Sequence, residues 1–207
     1  MVWPDSRLTR KSEEIQRSDF DYPSLTQDAI NLFGTLKDLN GLGLSACQVG
    51  DTRAFFVYRV GDREGAMFNP KIIADSGPMK HESQEGCLSF PGVYVKVQRF
   101  NHVTVQYQDE DGQSHEEELI GILGDCIQHE IDHLNGRTII SYLSKLKRDI
   151  VTRKMTKLQK RIDRVRKVST NAARRAVRAP SSLEGTRVPN DGGRRDTGVH
   201  RVHLPSE

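Results

Sequence analysis

The stretch Gln128-His129-Glu130-Ile131-Asp132-His133 contains the pattern H-E-x-x-H, and it restricts both the fold and the function of the chain. Apolar residues recur at helical spacing over residues 122–134, which predicts a helix. On a helix, His129 and His133 share one face, so both imidazoles can reach one cation. Glu130 can then accept a proton from a water molecule that the cation activates. The stretch predicts a metal-dependent hydrolase if a third ligand exists.

The third ligand is absent from the positions at which zinc proteases have theirs. One route uses a Glu on a following helix, but no Glu occurs between Glu130 and Glu184. The other route is H-E-x-x-H-x-x-G-x-x-H, and Ile139 occupies the position of its third His. The remaining candidate is Cys87, in the upstream stretch Glu85-Gly86-Cys87-Leu88-Ser89. A thiolate and two imidazoles form a Cys-His₂ site with a coordination position left open for water.

Charge is distributed unevenly along the 207 residues. Residues 1–143 hold 13 Lys/Arg and 22 Asp/Glu, a net charge of −9. Residues 144–178 hold 14 Lys/Arg and two acidic residues, a net charge of +12, and residues 179–207 hold four of each sign. We predict a catalytic domain over 1–143, a basic C-terminal helix over 144–178 and a disordered, apolar-poor tail over 179–207. The basic extension indicates an anionic partner, with RNA as the first candidate.

Composition excludes other classes of protein. No apolar run approaches the length of a membrane span, and the first residues lack a secretory or organelle-targeting pattern, so we expect a cytoplasmic protein with no membrane partner. The three cysteines are too few, and odd in number, for a disulfide framework. We expect Cys47 and Cys126 to be buried thiols.

Short apolar runs separated by turn signals predict strands before the H-E-x-x-H helix. These runs cover residues 54–60, 67–73, 94–99, 102–107 and 115–119. A further amphipathic helix is predicted over 24–39, with Ser24 and Gln27 as a capping box at its start.

Three motifs, in this order along the chain, resemble those of the peptide deformylase family. They are Gly41-Leu42-Gly43-Leu44-Ser45-Ala46-Cys47-Gln48, Glu85-Gly86-Cys87-Leu88-Ser89 and the H-E-x-x-H stretch. The resemblance extends over roughly residues 1–165, and Ser45 replaces an Ala that is common in the first motif. It implies an α+β fold, in which antiparallel strands surround a central H-E-x-x-H helix, and a monomeric enzyme.

The resemblance also implies an activity, which is removal of the formyl group from N-formylmethionine of nascent polypeptides. Glu130 would accept the proton of the attacking water and pass it to the leaving amine. The Gln48 amide and the Leu88 N–H would stabilise the oxyanion. The metal would be Fe²⁺ in the cell, and Zn²⁺, Ni²⁺ or Co²⁺ could replace it. Its ligands would be Cys87, His129 and His133.

The resemblance implies six substrate-binding residues: Leu42, Gly43, Gly86, Tyr94, Ile122 and Asp125. Gly43 and Gly86 would let an extended peptide pair with main-chain groups. Tyr94 stands where other members carry a substrate-contacting Arg. Asp125 places an acid at the methionine pocket, where the family has an apolar or basic residue. This predicts tolerance of basic side chains nearby, and the alternative is a solvated charge.

Several charged residues near the motifs have structural interpretations. We expect Glu85 and Arg99 to form a structural ion pair with no part in catalysis. Asp132 is a candidate to orient a ligand imidazole, or else is solvated. We expect His81 to lie on a strand near the cysteine motif, and its spacing indicates no ligand role.

Two alternatives to the deformylase interpretation stay open. A metalloprotease is disfavoured by the missing downstream ligands. An inactive homologue that retains ribosome or RNA binding is disfavoured by the intact site positions. For the segment 144–178, the resemblance implies docking on the large ribosomal subunit through phosphate contacts. The alternative for this segment is a solubilising amphipathic helix packed on the body.

Overall fold

The computed structural model describes residues 1–178, with side chains described to residue 170. The predicted tail over 179–207 lies outside the described residues. Within the described range the α-helices are α1 (Pro23–Asp38), α2 (Gly121–Leu134) and α3 (Lys145–Arg178). The strands are β1 (Gly43–Ser45), β2 (Phe55–Val60), β3 (Arg63–Asp75), β4 (Lys80–Gly86), β5 (Tyr94–Phe100), β6 (His102–Gln108) and β7 (Ser114–Ile120).

The strands form two antiparallel sheets, with α2 in contact with both. The larger sheet has the order β1-β2-β3-β6-β7, and β4 and β5 form the smaller one. One face of α2 buries Ile127, Ile131 and Leu134 in a cluster with residues of the larger sheet. Toward the smaller sheet, the Gln128 side chain exchanges hydrogen bonds with the main chain of Phe100. The predicted α+β architecture, with antiparallel strands around the H-E-x-x-H helix, is confirmed.

Burial of apolar side chains explains the position of α2. Each of its buried aliphatic residues is worth about 1.5–3 kcal/mol when removed from water. Ile127 is fully buried, and its side chain belongs to the same cluster as Phe56, Met67 and Val105 of the larger sheet. The two His residues of the motif therefore face away from this sheet-bound side, toward the smaller sheet.

The predicted helix over 24–39 is confirmed as α1, but its predicted capping box is wrong. The N-cap is Tyr22, which makes no side-chain cap hydrogen bond, and Pro23 occupies the first turn. Proline is favoured there because its missing N–H has no partner within the helix. At the other end Asn40 takes the left-handed conformation (φ 49°), and the Gly41 N–H donates to the Leu36 carbonyl at 3.1 Å.

The last turn of α2 is held by the N-terminal segment of the chain. The Ser12 N–H donates to the Leu134 carbonyl at 2.8 Å. Gly136 follows with φ 72°, and a Cβ atom there would lie 2.6 Å from the Thr9 carbonyl oxygen. A side chain at this position would therefore strain the backbone and also collide with the N-terminal segment.

Of the two strands nearest the motifs, β1 was not predicted, and β4 was expected only as a strand that carries His81. The sequence of β4, Lys-His-Glu-Ser-Gln-Glu-Gly, has no apolar residue, and β1 has only three residues. Strand β4 is polar because its inward residues pair with charged groups instead of entering an apolar core. All five predicted strands are found, with β3 much longer than predicted and the others within a residue or two at each end.

Residues Met1–Lys167 form one compact unit, and Val168–Glu207 is assigned to a second. The first unit includes the beginning of α3, where the fully buried Met155 packs with Phe90 and Ile140. The predicted domain boundary at residues 143/144 stays a prediction. Among residues 1–178, no helix combines the length and the apolar character that crossing a membrane requires.

Candidate metal centre

Cys87, His129 and His133 come together at the contact between the smaller sheet and α2. One potential ligand atom from each residue lies within 4.8 Å of the other two. The Cys87 Sγ atom is 3.2 Å from His133 Nε2, and the two imidazole rings have centroids 5.0 Å apart. Helix α2 supplies both imidazoles one turn apart, and Cys87 directly follows β4. The predicted ligand set is thus brought together.

This donor set fits a divalent transition metal. One thiolate and two imidazoles are ligands that zinc and iron both accept, and three protein ligands leave a position for water. His129 uses Nδ1 to contact Glu85 Oε2 at 2.7 Å, so Nε2 is left for a cation. Burial lowers the pKa of His133 well below its ordinary value, and His129 and Arg99 lower it further. A neutral His133 keeps a lone pair for a metal.

Glu85 is a positioning residue that the sequence analysis missed. The predicted ion pair exists, since Arg99 Nε and Nη2 lie 2.5 and 2.9 Å from the two Glu85 oxygens. Glu85 also fixes His129, as a carboxylate behind a ligand imidazole does in many metal sites. Burial raises the pKa of Glu85, but hydrogen bonds from His129 and Arg99 outweigh it, and the net pKa is lowered. We predicted only a structural role for the Glu85–Arg99 pair. The contact between Glu85 on β4 and His129 on α2 joins two distant parts of the chain, so no residue spacing in the sequence indicates it.

Asp132 was a candidate to orient a ligand imidazole or else a solvated charge, and its contacts fit neither description: it is 15% exposed and bonds Arg99 and Tyr142. Its Oδ2 accepts from Arg99 Nη1 at 2.7 Å and from the Tyr142 hydroxyl at 2.5 Å. Burial and the hydrogen bond to Asp132 raise the pKa of Tyr142 to about 12. Asp132 therefore holds Arg99, which in turn holds Glu85.

Glu130 is buried beside this cluster, with 3% of its surface exposed. Its Oε2 accepts a hydrogen bond from the Ser45 hydroxyl at 2.6 Å. A Cβ atom added to Gly43 would lie 2.5 Å from Glu130 Oε1, so only glycine leaves room for the carboxylate. Burial raises the pKa of Glu130, although His129 and the hydrogen bond from Ser45 oppose the rise. A raised pKa suits a group that accepts and returns a proton near neutral pH.

The buried side chain of Gln48 lies next to the thiol of Cys87. Its Nε2 is 3.7 Å from Cys87 Sγ and donates to Ser89 Oγ at 3.1 Å, while its Oε1 accepts from the Ser45 N–H at 2.9 Å. These contacts fix which end of the amide faces the cysteine. Leu88 is half-buried and adjoins Cys87 in the chain, which places its N–H in the same loop. The oxyanion role of both residues stays a prediction.

The two remaining cysteines are buried thiols, as predicted. Cys47 and Cys126 are 5% and 8% exposed, and neither forms a disulfide. Burial, together with the nearby Glu130 and Cys87, raises the pKa of the Cys47 thiol to about 12. A thiol of this kind is inert, because the thiolate is the reactive form.

The expected substrate-binding residues differ in their exposure. Leu42, Ile122 and Tyr94 are exposed. Gly43 belongs to β1, which is paired on one side only, and Gly86 lies opposite Tyr94 in the register of β4 and β5. Substrate contact by these residues stays a prediction.

Asp125 is not the solvated charge that was the alternative prediction. Its Oδ2 lies 3.0 Å from His81 Nε2, and the side chain is 18% exposed. Its Oδ1 is buried and has no hydrogen-bond partner among the described residues. The expectation that His81 has no ligand role stays a prediction.

Comparison with known proteins agrees with this site. The family model described as polypeptide deformylase matches residues 1–149. The peptide deformylase of Stenotrophomonas maltophilia is 40% identical over 165 residues, which are 78% of this chain and 96% of that protein. The peptide deformylase of Afipia carboxidovorans is 41% identical over 162 residues, with 76% and 92% covered.

Solved structures show the same similarity. A peptide deformylase from Legionella pneumophila superposes with a TM-score of 0.72 at 34% identity, covering 79% of this chain and 96% of that one. The Ehrlichia chaffeensis enzyme in complex with actinonin gives a TM-score of 0.68 at 37% identity, covering 76% and 94%. With the ligand cluster, the buried Glu130 and the matching fold, these comparisons show that the chain belongs to the polypeptide deformylase family.

Proposed function

We propose that this protein hydrolyses the formamide of N-formylmethionine at the start of nascent polypeptides, releasing formate and a free amine. The observation that carries the proposal is the buried carboxylate of Glu130 beside the cluster of Cys87, His129 and His133. A general base next to a three-ligand metal site with one open position is the arrangement that amide hydrolysis by water requires.

The metal in the cell is proposed to be Fe²⁺, with Zn²⁺, Ni²⁺ or Co²⁺ as substitutes. Cys87, His129 and His133 would hold it. When bound, a divalent ion of this kind supplies Lewis-acid activation of water and of the formyl carbonyl. The support from the residues is the donor set itself, a thiolate with two imidazoles, which selects transition metals over Mg²⁺ and Ca²⁺.

Glu130 is proposed to move the proton. Its carboxylate takes a proton from the attacking water and returns it to the nitrogen as the C–N bond breaks. The raised pKa that burial gives Glu130 brings the protonated and ionised forms closer in energy, so one group can both accept and donate.

The Gln48 amide and the Leu88 N–H are proposed to stabilise the oxyanion of the tetrahedral intermediate. The Gln48 amide is oriented before substrate binds, because Ser45 and Ser89 hold its two ends. Loss of one such preorganised donor typically costs roughly 2.7–4 kcal/mol of transition-state stabilisation.

The substrate is proposed to lie extended between the outer edge of β1 and the end of β4. Gly43 and Gly86 would allow close main-chain approach, and Leu42, Tyr94 and Ile122 would provide apolar walls. The exposure of these three large side chains supports this placement, since exposed apolar groups around a site commonly mark a ligand surface. Asp125 would set the preference for neighbouring side chains.

A ribosome contact is proposed for α3. Lys157, Lys160, Arg161 and Arg164 are all exposed, and the segment 144–178 carries a net charge of +12. Such a surface suits phosphate groups without base specificity. We further propose that the enzyme is cytoplasmic, where it would meet nascent chains beside the ribosome, and that it is a monomer.

The test of the proposed function is formate release from formyl-Met-Ala-Ser by anaerobically purified protein. We expect wild-type turnover, and the variant Glu130→Ala should lose it while retaining metal. Cleavage of an internal peptide bond would instead indicate a metalloprotease. Ribosome binding without any formate release would indicate an inactive homologue.

Ribosome docking has a separate test by co-sedimentation over a range of salt concentrations. The double variant Lys157→Glu/Lys160→Glu reverses two exposed charges on α3, and Arg10→Glu/Lys11→Glu reverses two on the body as the control. We expect only the α3 variant to lose binding and to show a weaker salt dependence. Equal binding by both variants would rule out α3 as the docking element.

A further inference from the structure

We propose that Ser45 is a positioning residue that aligns the general base and the oxyanion donor together. The proposal rests on the proposed function, since it concerns how Glu130 and Gln48 are oriented for that reaction. Ser45 is fully buried at the end of β1, where it is paired with Phe56 of β2. Its own position is therefore fixed by the larger sheet.

The first contact is with Glu130. The Ser45 hydroxyl donates to Glu130 Oε2 at 2.6 Å, whereas the Glu130 main-chain carbonyl is 3.2 Å away. The shorter distance identifies the carboxylate as the main acceptor, since hydroxyl bonds to ionised oxygens are the shorter and stronger ones. With Oε2 occupied, Oε1 is the oxygen left to handle the proton. Gly43 leaves room for Oε1, because any side chain there would overlap it.

The second contact is with Gln48, and it uses a different part of Ser45. The Ser45 main-chain N–H donates to Gln48 Oε1 at 2.9 Å. This bond turns the amide so that Nε2 points toward Ser89 Oγ and Cys87 Sγ. One residue of β1 thus sets the orientation of both polar groups that the proposed reaction requires.

The two contacts can be separated by mutation. Every residue except proline keeps the main-chain N–H, so Ser45→Ala removes only the contact with Glu130. The same position commonly carries Ala in the family motif that this chain resembles, so an alanine fits the backbone there. The effect of Ser45→Ala should therefore arise through the base and leave the oxyanion donor in place.

The experiment measures kcat and KM for formate release from formyl-Met-Ala-Ser. For Ser45→Ala we expect kcat to fall about tenfold with KM changed by less than about twofold, because a misaligned base affects the transition state more than binding. Thermal unfolding and metal content should match the wild type. Ser12→Ala is the control, since the buried Ser12 hydroxyl has no hydrogen-bond partner among the described residues, and its kcat should be unchanged.

Double variants identify the group through which Ser45 acts. In the Gln48→Ala background, Ser45→Ala should still lower kcat about tenfold. In the Glu130→Asp background, which keeps a carboxylate but shortens it away from the Ser45 hydroxyl, Ser45→Ala should change the residual kcat by less than about twofold. Ser45→Cys keeps a weak donor, and its kcat should lie between those of wild type and Ser45→Ala. It provides the test if Ser45→Ala proves unstable. A kcat within about twofold of wild type for both Ser45 variants, or an undiminished loss in the Glu130→Asp background, would overturn the proposal. Wild-type formate release tests the proposed function independently of these outcomes.

Discussion

Two imidazole–carboxylate pairs join β4 to α2, and they are built in opposite senses. In one, β4 supplies the carboxylate of Glu85 and α2 the imidazole of His129, at 2.7 Å. In the other, β4 supplies the imidazole of His81 and α2 the carboxylate of Asp125, at 3.0 Å. Residues four apart on α2 share a face, and residues two or four apart on β4 share a face, so the strand and the helix meet at both points.

The two pairs differ in burial and in the number of their other partners. Glu85 is 8% exposed and its carboxylate also accepts two hydrogen bonds from Arg99, whereas His81 is 40% exposed and its other neighbour is the neutral Asn101. A buried carboxylate with charged partners fixes an imidazole rigidly, and a half-exposed pair is screened by water. The buried Glu85–His129 pair can therefore hold a candidate metal ligand in place. The half-exposed Asp125–His81 pair can only change the charge at the protein surface.

The largest expected effect comes from removing Arg99 from the buried pair. Arg99→Ala leaves Glu85 and Asp132 buried without their cation, which should cost about 3–5 kcal/mol of the free energy of unfolding. Urea denaturation of wild type and Arg99→Ala measures this loss of unfolding free energy. Lys96→Ala on the same strands removes the exposed Lys96–Glu82 pair and should cost less than about 1 kcal/mol. Similar losses in both variants would show that burial does not distinguish the ion pairs of β4 and β5.

A second variant tests the role of Glu85 in holding His129. Glu85→Gln keeps the size of the side chain but removes the charge behind the ligand imidazole. Metal affinity should fall about 10–100-fold, as seen when such supporting groups are lost. Competition with a chelator gives the affinity, and Asp125→Asn serves as the control from the other pair. A loss of affinity in the control as large as in Glu85→Gln would contradict the division of roles.

The exposed pair should affect substrate preference and leave turnover largely intact. Wild type is expected to favour formyl-Met peptides with Lys over those with Glu at the next residue, by up to about fivefold, and Asp125→Ala should abolish the preference. His81→Ala should increase it, because Asp125 loses its present partner. The ratio of kcat/KM values for the two peptides is the measurement. Identical ratios in wild type and Asp125→Ala would show that Asp125 does not set this preference.

The smallest effect is the pH dependence of stability that His81 contributes. Its hydrogen bond to Asp125 raises the pKa of His81 above the ordinary value of 6.5. The contribution is therefore fully present below pH 6.5 and is lost as the pH rises through the raised pKa of the folded state. Because the pair is half-exposed, the difference in unfolding free energy between wild type and His81→Ala should shrink by no more than about 0.5 kcal/mol between acidic and alkaline pH. A difference that grows with pH would contradict this sign.

Sequence periodicity located most of the fold because apolar faces are buried against one another. Helix α2 and strand β6 both follow their apolar patterns, and the apolar signal is absent in β4, whose inward Glu85 pairs with Arg99 instead. The candidate metal ligands were predicted because residues with this chemistry form short motifs, and the structure brings the three together. The contacts of Ser45 with Glu130 and of Glu85 with His129 join residues 85 and 44 positions apart, and such contacts have no local spacing to detect.

The link between Ser12 and Leu134 has a consequence for the order of folding. The segment around Ser12 is synthesised before α2, yet one of its main-chain anchors is the end of α2, more than a hundred residues later. Contacts between residues so far apart form late and slow folding, because a long loop must close before they stabilise the chain. During synthesis, the segment around Ser12 therefore gains this anchor only after α2, which carries both candidate histidine ligands, has been made.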